Sequence, residues 1–419
     1  MRAFLMPCLF IFAACGKAPP AVSHGDSPVA TPRVTEWSLP VSAGAQPDLV
    51  AGKEGRLLLS WVEADGDRGH ALKFAKFDGK SWDAPRLIVR GDDWFVNWAD
   101  IPHIASTDDG ALWAHWLQQS ATAKYAYDVV LSRSSDGGAT WSPPSTVNDD
   151  GTPTEHGFVS LWPASRDTLG IAWLDGRQMA GGGHGNLGHG NVEHGEGAMT
   201  LRTAVFDAGM EKSAETELDP RTCDCCQTSV AMTSRGLLLV YRDRDGGEIR
   251  DIVGARFEQG AWTLPRKVHD DRWQMPACPV NGPAVAARGN EAWVAWYTAA
   301  GDVPKVRLAR SQDSGDSFSV PVELDSGPQV QGRVGVAIDG DSVWVNWTRE
   351  DADGQSLWLA RYRADRSTQL QRLRVVTLNG RGHATGIPEM VIRDGNAQLV
   401  WTDVVAGKPV LRGARVTLR

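Results

Sequence analysis

Basic charge is what this chain lacks most plainly: 43 Lys and Arg stand against 51 Asp and Glu, a formal net charge of −8. No basic patch offsets that balance, so nucleic acid is excluded as the main partner. Long apolar runs are also missing after the first few residues, which excludes further membrane-spanning helices. No segment keeps a helical period. Tyrosine and phenylalanine are scarce, at 5 and 10, and only six cysteines are present. Tryptophan is abundant instead, at 18, with 45 glycines. Together they point to short aromatic strands joined by tight turns. The hydrophobic fraction is 42% and the charged fraction 22%, so the chain is ordinary globular material and not a disordered one.

The N-terminus opens Met1-Arg2 and runs apolar from Ala3 to Ala14, broken only by Pro7 and Cys8. It ends Ile11-Phe12-Ala13-Ala14-Cys15-Gly16. Small residues before a cysteine resemble the lipobox of bacterial lipoproteins. The resemblance implies a signal peptide over residues 1–14, cleavage before Cys15 and lipidation of its thiol and new amine. It further implies a lipid bilayer as partner, with Gly16 pointing to the outer membrane of the cell envelope. The alternative is an ordinary secretory signal with an incidental cysteine. Residues 15–33 then comprise the lipidated cysteine and a flexible tether rich in Pro, Ala and Ser. Residues 34–419 form a single domain.

That domain repeats. Apolar strands end on an aromatic at Trp61, Trp116, Trp173, Tyr241, Trp296, Trp347 and Trp401, at intervals of 55, 57, 68, 55, 51 and 54 residues. Each interval holds four strand-length segments, as in Gly282–Arg288, Glu291–Thr298, Lys305–Asp313 and Ser319–Asp325. Four strands at a fixed period predict an all-β β-propeller with one blade per repeat. The seventh repeat has only three strands before the chain ends, and Val34–Val41 has no repeat of its own. The N-terminal strand is therefore predicted to complete the last of seven four-stranded blades and remove the free edge. Six blades with an irregular segment is the alternative.

Residues 134–141, SSDGGATW, match the Asp-box pattern S-x-D-x-G-x-T-W, carried by Ser134, Asp136, Gly138 and Trp141. Ser311, Asp313, Gly315 and Phe318 give a second copy. Both fall between third and fourth strands. On these residues the domain resembles the sialidase superfamily of BNR-repeat propellers. The resemblance implies that the Asp-boxes mark the fold on the face opposite the active site. It also implies an arginine triad that clamps a carboxylate, a Tyr–Glu nucleophile pair and an Asp acid/base. The first arginine belongs to an Arg-Ile-Pro motif at an inner-strand start. Here Asp100-Ile101-Pro102 and Gly386-Ile387-Pro388 occupy such starts. Aspartate in that slot repels a carboxylate. Tyr241 belongs to the repeating aromatic column and so to the core, and Tyr297 and Tyr362 carry no neighbouring glutamate pattern.

The mouth of the pore is the expected ligand site. Inner-strand starts bring Asp100, His156, Gln227, Asn281, Arg333 and His383 towards it, and loops after second strands add Asp175, Arg177, Asp243 and Arg250. These residues suit binding of a glycan or an envelope protein. The alternative is an exo-acting sialidase-like glycosidase. Asp100, Asp175 or Asp243 would then supply carboxylates, and Arg177, Arg250 or Arg333 cationic contacts. Internal Asp–Arg pairing that only stiffens the loops is the competing structural account.

Cys223, Cys225, Cys226 and Cys278 form an even set, and Cys278 follows Cys223 by one repeat of 55 residues. A disulfide stapling blades 4 and 5 is expected in an oxidising envelope. The alternative is a thiolate site for Cu or Zn. The long third repeat carries a Gly-rich loop with His184, His189 and His194 at five-residue intervals. Those histidines are either solvated or ligands to Zn, Cu or Ni, which gives a third reading of the chain as a metal-handling protein.

Overall fold

The computed structural model describes residues 31–41, 43–52, 55–180, 197–365 and 368–418. The signal, Cys15, most of the tether and the three loop histidines lie outside these residues.

Seven antiparallel sheets follow one another along the chain and close into a seven-bladed propeller. The inner strands are Ala45–Ala51, Ile104–Ser106, His156–Pro163, Ser229–Thr233, Ala284–Arg288, Val330–Asp339 and Glu389–Arg393. Each blade runs from its inner strand outward by hairpins. Blade 4 alone has its outer edge split into two short pieces, Ala261–Trp262 and Arg266–Lys267. All inner strands start on the same face, called here the upper face. The loops between third and fourth strands lie on the lower face.

The repeating aromatic column forms the core. Trp61, Trp116, Trp173, Tyr241, Trp296, Trp347 and Trp401 are all buried. Period-2 strands place them between neighbouring sheets, where the clusters of apolar side chains join one blade to the next.

Closure follows the expected route. Pro32–Glu36 pairs antiparallel with Lys408–Leu418, from Pro32 opposite Leu418 to Glu36 opposite Ala414. The strand thus begins two residues inside the segment expected as tether.

The two Asp-containing turns are built alike. Asp136 Oδ1 accepts the backbone N–H groups of Ala139 and Thr140, both at 2.9 Å, and Ser134 Oγ accepts that of Gly138 at 2.8 Å. The Thr140 hydroxyl, which donates to Asp136 Oδ2 at 2.6 Å, together with the Thr140 N–H and the Ser134 hydroxyl, holds the Asp136 carboxyl well below the usual range. Gly138 has φ +93°, and a Cβ there would lie 2.2 Å from Phe74 of the preceding blade. Glycine lets the turn sit flat on that neighbour. In the second turn Asp313 and Ser311 accept the equivalent bonds from Ser317 and Gly315.

Candidate functional site

Three inner strands begin with the same backbone irregularity. Gln46, Phe158 and Arg333 have φ of 54°, 52° and 54°. Such left-handed residues are costly unless a specific contact holds them. The contact comes from the preceding blade each time. Thr402 Oγ1 accepts Gln46 N–H at 3.1 Å, Asp100 Oδ1 accepts Phe158 N–H at 2.7 Å, and Asn281 Oδ1 accepts Arg333 N–H at 2.8 Å. Asp48 Oδ2 takes Ile104 N–H at 2.7 Å, and Gln227 Oε1 takes Gly282 N–H at 2.8 Å. The polar residues at the inner-strand starts are therefore joints between blades.

The mouth itself is crossed by the chain. Residues 97–101 touch five other blades. Gln46 donates to the Asn97 carbonyl at 2.5 Å and Gln227 to the Ala99 carbonyl at 2.8 Å. Trp98 packs against two groups, with His383 stacked at 4.3 Å and the Arg333 guanidinium 4.7 Å from its ring. Below this roof lies a central channel of about 310 Å³, lined by Asp48, Val230, Val336 and Glu389 among others. A turn of the protein thus crosses the mouth expected to take a ligand.

The expected arginines do not converge. Arg333 donates to Thr385 Oγ1 and to the carbonyls of Gly386 and Gly382, each at 2.9 Å. Arg177 grips Asp175 with two bonds of 2.8 and 2.7 Å and reaches Glu215. Arg250 binds Glu248 and the Cys223 sulfur. Asp243 accepts the Arg244 N–H, and burial pushes its carboxyl up to about 6. The Asp–Arg loop pairing considered as the structural account is thus formed at Asp175–Arg177. His156 is fully buried, its Nδ1 3.1 Å from the Tyr127 carbonyl and its Nε2 3.3 Å from Asp150 and 3.6 Å from Asp175.

Two residues outside the expected set stand at the centre of the unusual chemistry. Tyr127 O–H donates to Glu155 Oε1 at 2.7 Å and lies 3.5 Å from Asp100 Oδ2. A Tyr–Glu pair therefore exists, at a tyrosine the sequence pattern did not single out. Burial pushes Glu155 up to about 8, with nearby Asp100 and Asp224 adding to the rise. Burial likewise pushes Asp100 up to about 7. Gly157 makes room for this packing, since a Cβ there would lie 2.0 Å from Asp100 Oδ2. At neutral pH Glu155 holds a proton and can donate as well as accept, while Asp100 is near its midpoint.

The cysteines adjoin this group. Cys223 Sγ lies 3.2 Å from Cys226 Sγ and 3.9 Å from Cys225 Sγ. All four cysteines are free thiols, so the expected disulfide staple is not formed. A sulfur–sulfur bond needs about 2.05 Å. Cys278 is exposed whereas Cys223 is buried, although their sequence registers match. Burial opposes ionisation of Cys223, but thiol hydrogen bonds and the Arg250 charge prevail and hold it well below the ordinary value. Burial raises Cys225 and Cys226.

Shifted acids and a shifted thiol thus gather on the upper face over blades 2–4. Such clustering marks functional sites. Around it runs a rim of ion pairs, Arg177–Glu215–Arg202–Glu217 on blade 3 and Asp224–Arg244–Glu248–Arg250 on blade 4.

No family model matches the sequence, and no curated protein matches it. Solved structures do resemble it. Polysaccharide lyase Uly1 superposes with a TM-score of 0.53 at 9% identity, over 90% of each chain. A protein of unknown function from Dyadobacter fermentans gives 0.51 at 14% identity, over 94% of this chain and all of the other. NanB sialidase from Streptococcus pneumoniae gives 0.48 at 10% identity, over 94% and 96%. The likeness at these identities is one of fold.

Proposed function

We propose that this propeller binds a glycan on its upper face, against the rim over blades 2–4. The observation carrying this reading is the proton-holding carboxyl of Glu155, close to ion-paired and mostly buried Arg and Glu side chains of blades 3 and 4. Groups that both donate and accept, beside fixed charges, suit a hydroxyl-rich ligand. The resemblance of the fold to a polysaccharide lyase supports the same class of ligand.

The sign of the pH dependence follows. Below about 8 Glu155 is neutral; above it, ionisation adds a negative charge beside Asp100 and Asp224. Glycan-array binding by the purified full chain is expected to fall as pH rises through 8. Glu155→Gln keeps a neutral side chain and is expected to lose the part of the fall centred near pH 8. Absence of any bound glycan, or binding by wild type that ignores pH, defeats the reading.

One observation favours hydrolysis instead, the Tyr127–Glu155–Asp100 group itself. Yet Tyr127 is fully buried, with Phe95 stacked on its ring at 4.0 Å, so no anomeric carbon reaches its oxygen. We expect no release of sialic acid from a fluorogenic sialoside. Turnover abolished by Tyr127→Phe would reverse the assignment.

We also propose that Cys15 is lipidated and anchors the domain in the bacterial envelope, at the outer membrane. The sequence Ala13-Ala14-Cys15-Gly16 supports this, and several acyl chains hold a protein stably where one does not. Cys15→Ala is expected to move the protein from the membrane to the soluble fraction in cell fractionation. A variant that stays with the membrane removes the proposal.

A further inference from the structure

We propose that Cys223, Cys225 and Cys226 form a thiolate site for a soft closed-shell metal ion, Cu(I) or Zn(II), with Cys278, whose thiol meets that of Cys225, as an outer fourth ligand. The three sulfurs all lie within 4.8 Å of one another. Metal–sulfur bonds of about 2.3 Å place the sulfurs of a trigonal or tetrahedral site roughly 3.8–4.0 Å apart. Cys223 and Cys225 already stand at 3.9 Å, and Cys226 needs only a small outward shift from 3.2 Å. The backbone is held for the purpose: Thr222 N–H bonds the Met199 carbonyl at 2.8 Å and Cys223 N–H the Arg242 carbonyl at 3.1 Å.

Charge and access agree with this assignment. Three thiolates around a monovalent or divalent ion leave net negative charge. Arg250 Nη1 lies 3.2 Å from Cys223 Sγ and offsets it from the protein side. Cys223 and Cys226 are buried, which protects them from solvent, while Cys225 is half-buried and Cys278 exposed. The cluster therefore has a dry floor and an open entrance at which an ion can be handed over. Soft thiolates select these ions over hard divalent cations.

The test uses the full chain, purified under reducing, metal-free conditions. It is titrated with Cu(I) against a competing chelator, and separately with Zn(II). One ion per chain is expected, with a sulfur-to-metal charge-transfer band and a raised urea midpoint. Cys225→Ser, at a half-buried position, is expected to lose stoichiometric retention while keeping the metal-free wild-type urea midpoint. Cys278→Ser separates the sources: Cu(I) held by three thiolates survives it, and Zn(II) needing four does not. Failure of both ions to bind stoichiometrically overturns the proposal, as does retention that persists in Cys225→Ser. A Cys223–Cys226 disulfide in protein taken directly from cells also overturns it.

Discussion

Arg242→Ala is expected to destabilise the propeller by about 4 kcal/mol, read as a lower urea midpoint. Arg242 is only 2% exposed. Its guanidinium donates twice to the Asn281 carbonyl, at 3.0 and 2.8 Å, and once each to the carbonyls of Arg250 and Tyr297, at 2.6 and 2.8 Å. It also lies 4.9 Å from the centre of the Trp273 ring. Truncation leaves three carbonyls short of a donor, where a charged hydrogen bond is worth about 1.5–3 kcal/mol. The stacking adds about 0.5–2 kcal/mol. These terms are not additive, which is why the expected total stays below their sum. Asn281 in turn caps the left-handed Arg333, so Arg242→Ala and Asn281→Ala should couple in a double-mutant cycle. A single-variant loss under about 1 kcal/mol would show that water replaces the guanidinium there.

Removal of residues 32–37 is expected to open the ring. Blade 7 would keep three strands, and the outer edge of Lys408–Leu418 would lose all five paired positions. Trp37 goes with it: buried, 5.4 Å from Phe77 and 5.1 Å from Trp82, it joins the closing strand to blade 1. Loss of a buried Trp side chain alone costs about 3–5 kcal/mol. An unpaired, apolar strand edge also recruits other chains. The truncated protein should therefore unfold at lower urea and elute as aggregate in size-exclusion chromatography. A stable monomer would mean that closure is dispensable.

The propeller was readable because its determinants are local and repeated. An aromatic within each second strand recurs seven times, and the missing fourth strand in the last repeat announces the closing segment. The site was much less readable, because it depends on which blades touch. Asp100 looked like an aspartate in an arginine slot facing ligand; it faces Phe158 N–H of the next blade instead. Gln227, Asn281 and Arg333 were drawn to the mouth by register, and register did place them there. It could not show that backbone groups of neighbouring blades consume them. Tyr127 and Glu155 meet across a blade boundary. The available signal was that Tyr127 opens a third strand, on the same face as the inner-strand starts. Cys223 and Cys278 share a register, yet the loop leading to Cys278 folds over blade 4, with Met275 N–H bonding the Glu248 carbonyl. That fold exposes one cysteine and leaves the other buried.

The direction of the closing strand sets the polarity of the whole molecule. Pro32 pairs with Leu418 at the lower end of blade 7, and the strand climbs from there towards the first inner strand. The chain therefore enters the propeller from below, on the side of the Asp136 and Asp313 turns. The anchor proposed at Cys15 would attach on that lower side. The carboxyl and thiol groups sit at the other pole. Whatever docks there meets the face opposite the one by which the chain enters, so a ligand and the N-terminal segment do not compete for the same surface.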